Sequence, residues 1–171
     1  MFNVLEFRKQ FPILSKEVNS KPLVYLDNGA SSQKPVSVID TVKNCYENEY
    51  SNVHRGLHFL SNLATEKFEA VRDKVMKFLG ASCHEEIIFT SGSTEALNLI
   101  SYSWGNQNLE PGDEIILTTL EHHANIVPWH FLRSRKDIKL TWIDPDENGQ
   151  VSFDMINEKI SSKTKMVCIT H

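Results

Sequence analysis

The sequence predicts an α/β fold, a mostly parallel sheet flanked by helices. Three observations carry that expectation. Short, nearly all-apolar runs occur at Glu86–Phe89, Glu114–Thr118, Leu140–Ile143 and Met166–Thr170. Strands covered on both faces read this way, because neither side needs polar residues. Helical stretches alternate with them, near Thr94–Trp104, Ile126–Arg135 and Ser152–Ile160, as parallel strands joined by crossover helices require. Turn signals, Pro111-Gly112-Asp113, Asp144-Pro145-Asp146 and Asn148-Gly149, punctuate the series.

The earlier part of the chain is more helical. Residues Asn3 to Gln10 read as a short helix stopped before Pro12, and Leu23–Leu26 reads as a short strand. The polar loop Asp27-Asn28-Gly29-Ala30-Ser31-Ser32 follows. Pro35 stands where a helix start favours it, and the helix runs to about Tyr50. A long amphipathic helix comes next. Leu60, Leu63, Ala64, Phe68, Val71, Val75, Phe78 and Leu79 recur at steps of three and four and form one apolar stripe. Glu69–Arg72 and Asp73–Lys77 are spaced as exposed helical pairs, and Gly80 ends the helix.

Composition bounds the function. The 171 residues are 40% hydrophobic, which suits one globular domain with a core, and the net charge is −4. With no long basic block, neither a general nucleic-acid binder nor a membrane-surface binder is expected. The N-terminus mixes charge into its apolar residues, and no run of about 18 apolar residues occurs. A soluble, cytoplasmic protein is the expectation. Cys45, Cys83 and Cys168 are odd in number and far apart. They suggest neither a disulfide framework nor a thiolate metal site, and Cys45 and Cys168 read as core residues.

Three constellations could carry chemistry. In Thr90-Ser91-Gly92-Ser93-Thr94-Glu95, a small-residue turn leads from the apolar run Ile87-Ile88-Phe89 into a helix. Free N–H groups and the positive dipole end converge at such a start, and Ser93 and Thr94 add hydroxyls. A phosphate is the natural guest, although a plain helix cap has the same composition. Glu95 would repel a phosphate unless it turned away. The second constellation, Glu121-His122-His123-Ala124-Asn125, follows the strand ending at Thr118. In a parallel sheet that lies beyond a carboxyl end, on the rim where ligands bind. A histidine there can stack on a flat ring or shuttle protons; the alternative is a solvated loop histidine. The third is Val53-His54-Arg55-Gly56-Leu57-His58. His54 and His58 have helical metal-ligand spacing, but Gly56 weakens the helix, so no metal is expected. Arg55 suits a carboxylate partner, or equally a surface or dimer ion pair.

Together these segments resemble the fold-type I pyridoxal-phosphate enzymes, and more closely the SufS-like (group II) cysteine desulfurases. The resemblance runs from Tyr25-Leu26-Asp27-Asn28-Gly29-Ala30-Ser31-Ser32-Gln33-Lys34-Pro35 through Val53-His54-Arg55-Gly56 and Gly92-Ser93-Thr94-Glu95. It continues through Trp104-Gly105 and Glu121-His122-His123-Ala124-Asn125-Ile126-Val127-Pro128-Trp129 to Ile169-Thr170-His171. It implies the first part of an aminotransferase-like large domain: a helical arm at 1–20, and an incomplete pyridoxal-phosphate-binding domain at 21–171. It implies that Ser93 and Thr94 hold the phosphate of pyridoxal 5′-phosphate, and that His122 stacks on its ring as a catalytic residue. Asn28, Gly29 and Ala30 would line the substrate pocket, with His54 and Arg55 at its entrance near a homodimer interface.

The implied reaction takes sulfur from L-cysteine, releases L-alanine and leaves a protein persulfide for a sulfur-acceptor protein in iron–sulfur cluster assembly. The family's Schiff-base lysine, the acidic partner of the pyridine nitrogen, the persulfide cysteine and the carboxylate-gripping arginine would all lie beyond the position of His171. The chain alone is therefore expected to be inactive. Two further readings fit these residues: another fold-type I lyase or aminotransferase, and a non-catalytic truncated homologue or dimerisation scaffold.

Overall fold

The computed structural model describes residues 2–170, and the chain divides into two compact units, Met1–Ile87 and Ile88–His171. In the first unit, α1 spans Val4–Arg8 and is capped by Asn3, whose side chain accepts the Glu6 N–H at 3.2 Å. A 3₁₀ turn covers Pro12–Ser15. Strands β1 (Glu17–Val18) and β2 (Lys21–Pro22) then form an antiparallel hairpin that the sequence pattern did not suggest. Its two turn residues, Asn19 and Ser20, have φ of 53° and 57°, the left-handed pair that a two-residue hairpin turn needs. The strand expected at Leu23–Leu26 does not form. Among the described residues that segment belongs to no strand; the Leu23 N–H donates to Lys16 O at 2.9 Å, and the Arg8 guanidinium ties Leu23 O (2.8 Å) to Leu14 O (2.9 Å).

Helix α2 covers Val36–Asn44 behind Pro35 and runs on as a π-helical turn, Cys45–Glu49, so the expected helix to about Tyr50 is present. Helix α3 spans Phe59–Leu79 and ends at Gly80, whose φ of 71° is the left-handed cap conformation open to glycine. The apolar stripe on α3 is only partly covered: Leu63, Ala64, Phe68 and Val75 are half-buried, while Phe78 is 88% exposed. Of residues 2–87, only Ser61 and Ile87 are buried.

The second unit holds the core. Helix α4 (Ser93–Ile100) passes through a π-helical turn, Ser101–Gly105, into the short α5 (Asn106–Asn108). Gly105 is required by a close approach, because a Cβ there would lie 2.6 Å from Leu132 Cδ2. Strand β3 (Glu114–Thr118) is buried at every residue. It pairs in parallel with β4 (Lys139–Ile143) on one side and β5 (Thr164–Cys168) on the other. Helices α6 (Val127–Lys136) and α7 (Phe153–Asn157) make the crossovers. The expected α/β architecture with a parallel sheet is therefore present, with β5 starting two residues earlier than the apolar run suggested.

The expected strand Glu86–Phe89 is absent. His84–Glu86 make a 3₁₀ turn, and the next residues pair with no strand among the described residues. An apolar run without a ladder partner cannot satisfy its backbone as a strand.

Side chains of β3 alternate between two clusters, as the period of two dictates. Ile115 and Leu117 pack with Leu109, Trp129, Leu132, Ile138, Leu140 and Cys168, whereas Ile116 packs with Ile143 and Ile156. Each fully buried aliphatic contributes roughly 1.5–3 kcal/mol. At the start of β3, Glu114 is buried yet fully engaged. It accepts from Thr141 Oγ1 at 2.5 Å and Thr164 Oγ1 at 2.9 Å, one hydroxyl from each neighbouring strand, and pairs with Lys139 Nζ at 3.1 Å. These partners, the Thr141 hydroxyl foremost, hold its carboxyl below the usual carboxylate range against the opposing effect of burial.

A pH dependence follows from the sign of that shift. A carboxyl whose folded pKa is depressed contributes stability above its unfolded value, here 4.5, and loses it as pH falls through the folded value. Below pH 4.5 the chain should therefore lose stability more steeply than Glu114→Gln, in urea midpoints measured across the acid range. Parallel curves for the two proteins would contradict this.

Candidate functional site

The start of α4 offers a set of free donors. Gly92 is the N-cap, and its carbonyl accepts the Ala96 N–H at 3.1 Å. The N–H groups of Ser93, Thr94 and Glu95 and the two hydroxyls have no partner among the described residues. A Cβ at Gly92 would meet no atom within 4 Å, so the space before the turn is open. Glu95 is not loose at this helix start. Its Oε2 accepts the Ser91 N–H at 2.5 Å, and the Ser91 side chain first, then that N–H, hold the carboxyl below its ordinary range. The donor set suits an anion, and the first turn's own acid is committed to the backbone behind it.

The loop after β3 is built around Glu121, which is buried. Its Oε1 accepts from Thr118 Oγ1 at 2.6 Å and from the Thr170 N–H at 2.7 Å, joining the carboxyl ends of β3 and β5. Its Oε2 accepts from Asn125 Nδ2 at 2.7 Å, and Asn125 Oδ1 in turn accepts from Trp129 Nε1 at 3.1 Å. Trp129 is fully buried in the core of α6. Residues 122–124 are thus bracketed between two anchored side chains. Within the bracket, His122 is exposed and its Nδ1 accepts the Ala124 N–H at 3.1 Å. The neutral ring therefore carries its proton on Nε2. The His123 ring stands edge-to-face against it, 6.2 Å between centroids. The turn His123–Asn125 rests on α4, the helix that begins at Ser93 and Thr94.

The other sequence candidates belong to the first unit. Asn28 Oδ1 accepts the Gln33 N–H at 3.1 Å, and Asp27 O accepts the N–H groups of Ala30 (3.2 Å) and Ser31 (3.0 Å). This tightens the loop that presents Gly29 and Ala30 to solvent. His54 and Arg55 have φ of 60° and 55°, two successive non-glycine residues in the left-handed region. Such backbone costs of order 1–3 kcal/mol per residue and needs support from its surroundings. Thr65 Oγ1 accepts the His54 N–H at 2.8 Å, Asn52 Nδ2 donates to His54 O at 3.2 Å, and His54 Nε2 lies 3.3 Å from Glu69 Oε1. Ser61 Oγ donates to Asn52 O at 2.9 Å; a Cβ on Gly56 would fall 1.9 Å from Ser61 Oγ, which explains the glycine. Arg55 remains exposed, and His58 caps α3 by accepting the Ser61 N–H at 3.4 Å. Among the described residues, no group of three or more His, Cys, Asp or Glu converges to hold a metal.

Of the cysteines, Cys168 is buried in the core cluster. Burial first, then the Glu121 charge, pushes its thiol up to about 12, so it holds its proton at neutral pH. Cys45 is half-buried rather than in the core, and Cys83 is exposed.

The aminotransferase class-V family model matches residues 24–171. The chain belongs to that family. Among family proteins, a probable cysteine desulfurase of Synechocystis is 50% identical over 166 residues, covering 96% of this chain and 39% of the relative. The apo structure of a cysteine desulfurase from Thermococcus onnurineus superposes with a TM-score of 0.86 at 34% identity, covering 99% of this chain and 40% of that one. The cysteine desulfurase CsdA from Escherichia coli gives 0.77 at 32% identity, covering 98% and 41%. The chain is thus a homologue of cysteine desulfurases that spans about 40% of their length.

Sequence reading singled out His122, Ser93 and Thr94, but not what holds them. Glu121, Asn125 and Trp129 stand four residues apart in succession. An acid, an amide and an indole at that spacing, entering a helix, were the available signal. Replacing Asn125 with Ala leaves the Trp129 indole and a Glu121 oxygen unpaired in the interior. The expected loss of unfolding free energy is about 1–3 kcal/mol, read from urea unfolding; a change under half a kcal/mol would show that water replaces the amide.

Proposed function

We propose that this chain is the N-terminal portion of a cysteine desulfurase that takes sulfur from L-cysteine, giving L-alanine and a protein persulfide. The carrying observation is the donor-rich start of α4 beside the anchored His122 turn, in a chain homologous to cysteine desulfurases. In this reading residues 21–171 are the first part of the pyridoxal-phosphate-binding large domain, and residues 1–20 are its arm.

The residues present fit pyridoxal 5′-phosphate: unpaired N–H groups, two hydroxyls and open space at Gly92 suit a phosphate, and an exposed imidazole suits a ring. When bound, that cofactor supplies an electron sink for bond cleavage next to the substrate amine. Ser93 and Thr94 would bind and orient its phosphate. His122 would stack on the cofactor ring, and its imidazole, with the proton on Nε2, would serve proton transfer there. Asn28, Gly29 and Ala30 line the L-cysteine pocket. His54 and Arg55 stand at its entrance near a homodimer contact, where the fixed positive charge of Arg55 attracts the substrate carboxylate. The Schiff-base lysine and the nucleophilic cysteine come from further along the full-length protein. The product persulfide passes to a sulfur-acceptor protein for iron–sulfur cluster assembly in the cytoplasm.

The full-length protein should release alanine from L-cysteine, while residues 1–171 alone should release none. Alanine release by the short chain, or none by the full-length protein loaded with cofactor, would refute the proposal. The second outcome would favour a dimerisation scaffold. In the full-length protein, Ser93→Ala and Thr94→Ala should each weaken cofactor binding by roughly tenfold, about 1.4 kcal/mol, in equilibrium titrations.

A further inference from the structure

We infer that Glu121 is a positioning residue that sets the place and tilt of the His122 ring by locking the turn between the ends of β3 and β5. The inference deepens the proposed role of His122 and rests on it. Four donors converge on Glu121 and Asn125, from Thr118, Thr170, Asn125 itself and Trp129. The direction of this chain has no freedom. An indole nitrogen only donates, so Asn125 must turn its oxygen to Trp129 and its NH₂ to Glu121. The Thr170 N–H that reaches Glu121 also only donates. Residue 121 must therefore accept at both side-chain oxygens, and no neutral isostere can do so. A glutamine would face either Asn125 or Thr170 with a second donor.

His122 sits directly between Glu121 and the rest of the turn. The Ala124 N–H that fixes its Nδ1 lies one residue before Asn125. Loss of the bracket frees residues 122–124 together, while among the described residues the α4 donors at Ser93 and Thr94 share no hydrogen bond with Glu121.

The test uses the full-length holoenzyme as Glu121→Gln, His122→Ala and the double variant. Glu121→Gln should keep its cofactor and lower kcat on the order of 10- to 100-fold, the range for a misplaced catalytic group, with KM for L-cysteine little changed. The visible circular dichroism of the cofactor should change with it. Adding Glu121→Gln to His122→Ala should change neither kcat nor that band further. In cofactor-free protein, exchange of the Ala124 and Asn125 amides should accelerate in Glu121→Gln while α6 stays protected. Equal loss with and without His122, or no change in the single variant, overturns the inference and leaves the functional proposal standing. No effect of His122→Ala itself overturns the inference together with the catalytic role of His122, while turnover of L-cysteine still upholds the desulfurase proposal. If Glu121→Gln does not fold, Thr118→Val removes one donor isosterically. It should show the same dependence on His122 at a few-fold size, and a loss independent of His122 overturns the inference.

Discussion

The unit 88–171 depends on one strand with a buried carboxylate at its first residue and another just past its last. Strand β3 has no exposed residue and pairs on both edges, so its backbone is satisfied by the sheet and its aliphatic side chains by the two clusters. A carboxylate buried without partners would be a severe cost. Glu114 avoids it through hydroxyls from β4 and β5, and Glu121 through a hydroxyl, a backbone amide and a side-chain amide. The apolar alternation sets which face each side chain takes, and the carboxylates tie neighbouring segments to the strand at either end.

The two ends then serve different purposes. Around Glu114 every partner is a strand or a lysine beside it, so that end is sealed. At the other end the same device holds a loop rather than a strand, and the loop carries an exposed imidazole. Stability and site share one network: the Trp129 indole is part of the core and also decides which way Asn125 points. A site residue on such a loop is placed by packing several residues away from it.

The fold was legible where the period of the sequence matched an element that could complete its own contacts. Helices α3 and α6 and strands β3 and β4 fall within a residue or two of expectation because each has a stripe or a face to bury. Glu86–Phe89 misled because an apolar run shows tendency but not partnership. The hairpin at Asn19–Ser20 was hidden because its strands are two residues each and its turn lacks the usual glycine. The stripe on α3 shows the limit from the other side: the pattern is present, yet much of it stays exposed.

The site was legible as residue types in order: small residues before a helix, a histidine after a strand, an arginine beside a glycine. The sequence by itself determined the α/β class, the alternation that makes a parallel sheet, and which residues carry donors, rings and charge, since all of these are local. Only the tertiary structure decided that Glu95 binds Ser91, that Gly56 yields to Ser61, and that Glu121 gathers groups from β3, the His122 turn and the end of β5. Thr170 lies 49 residues from Glu121. No local pattern reports a hydrogen bond across that separation, because it forms only after the sheet has brought the strand ends together.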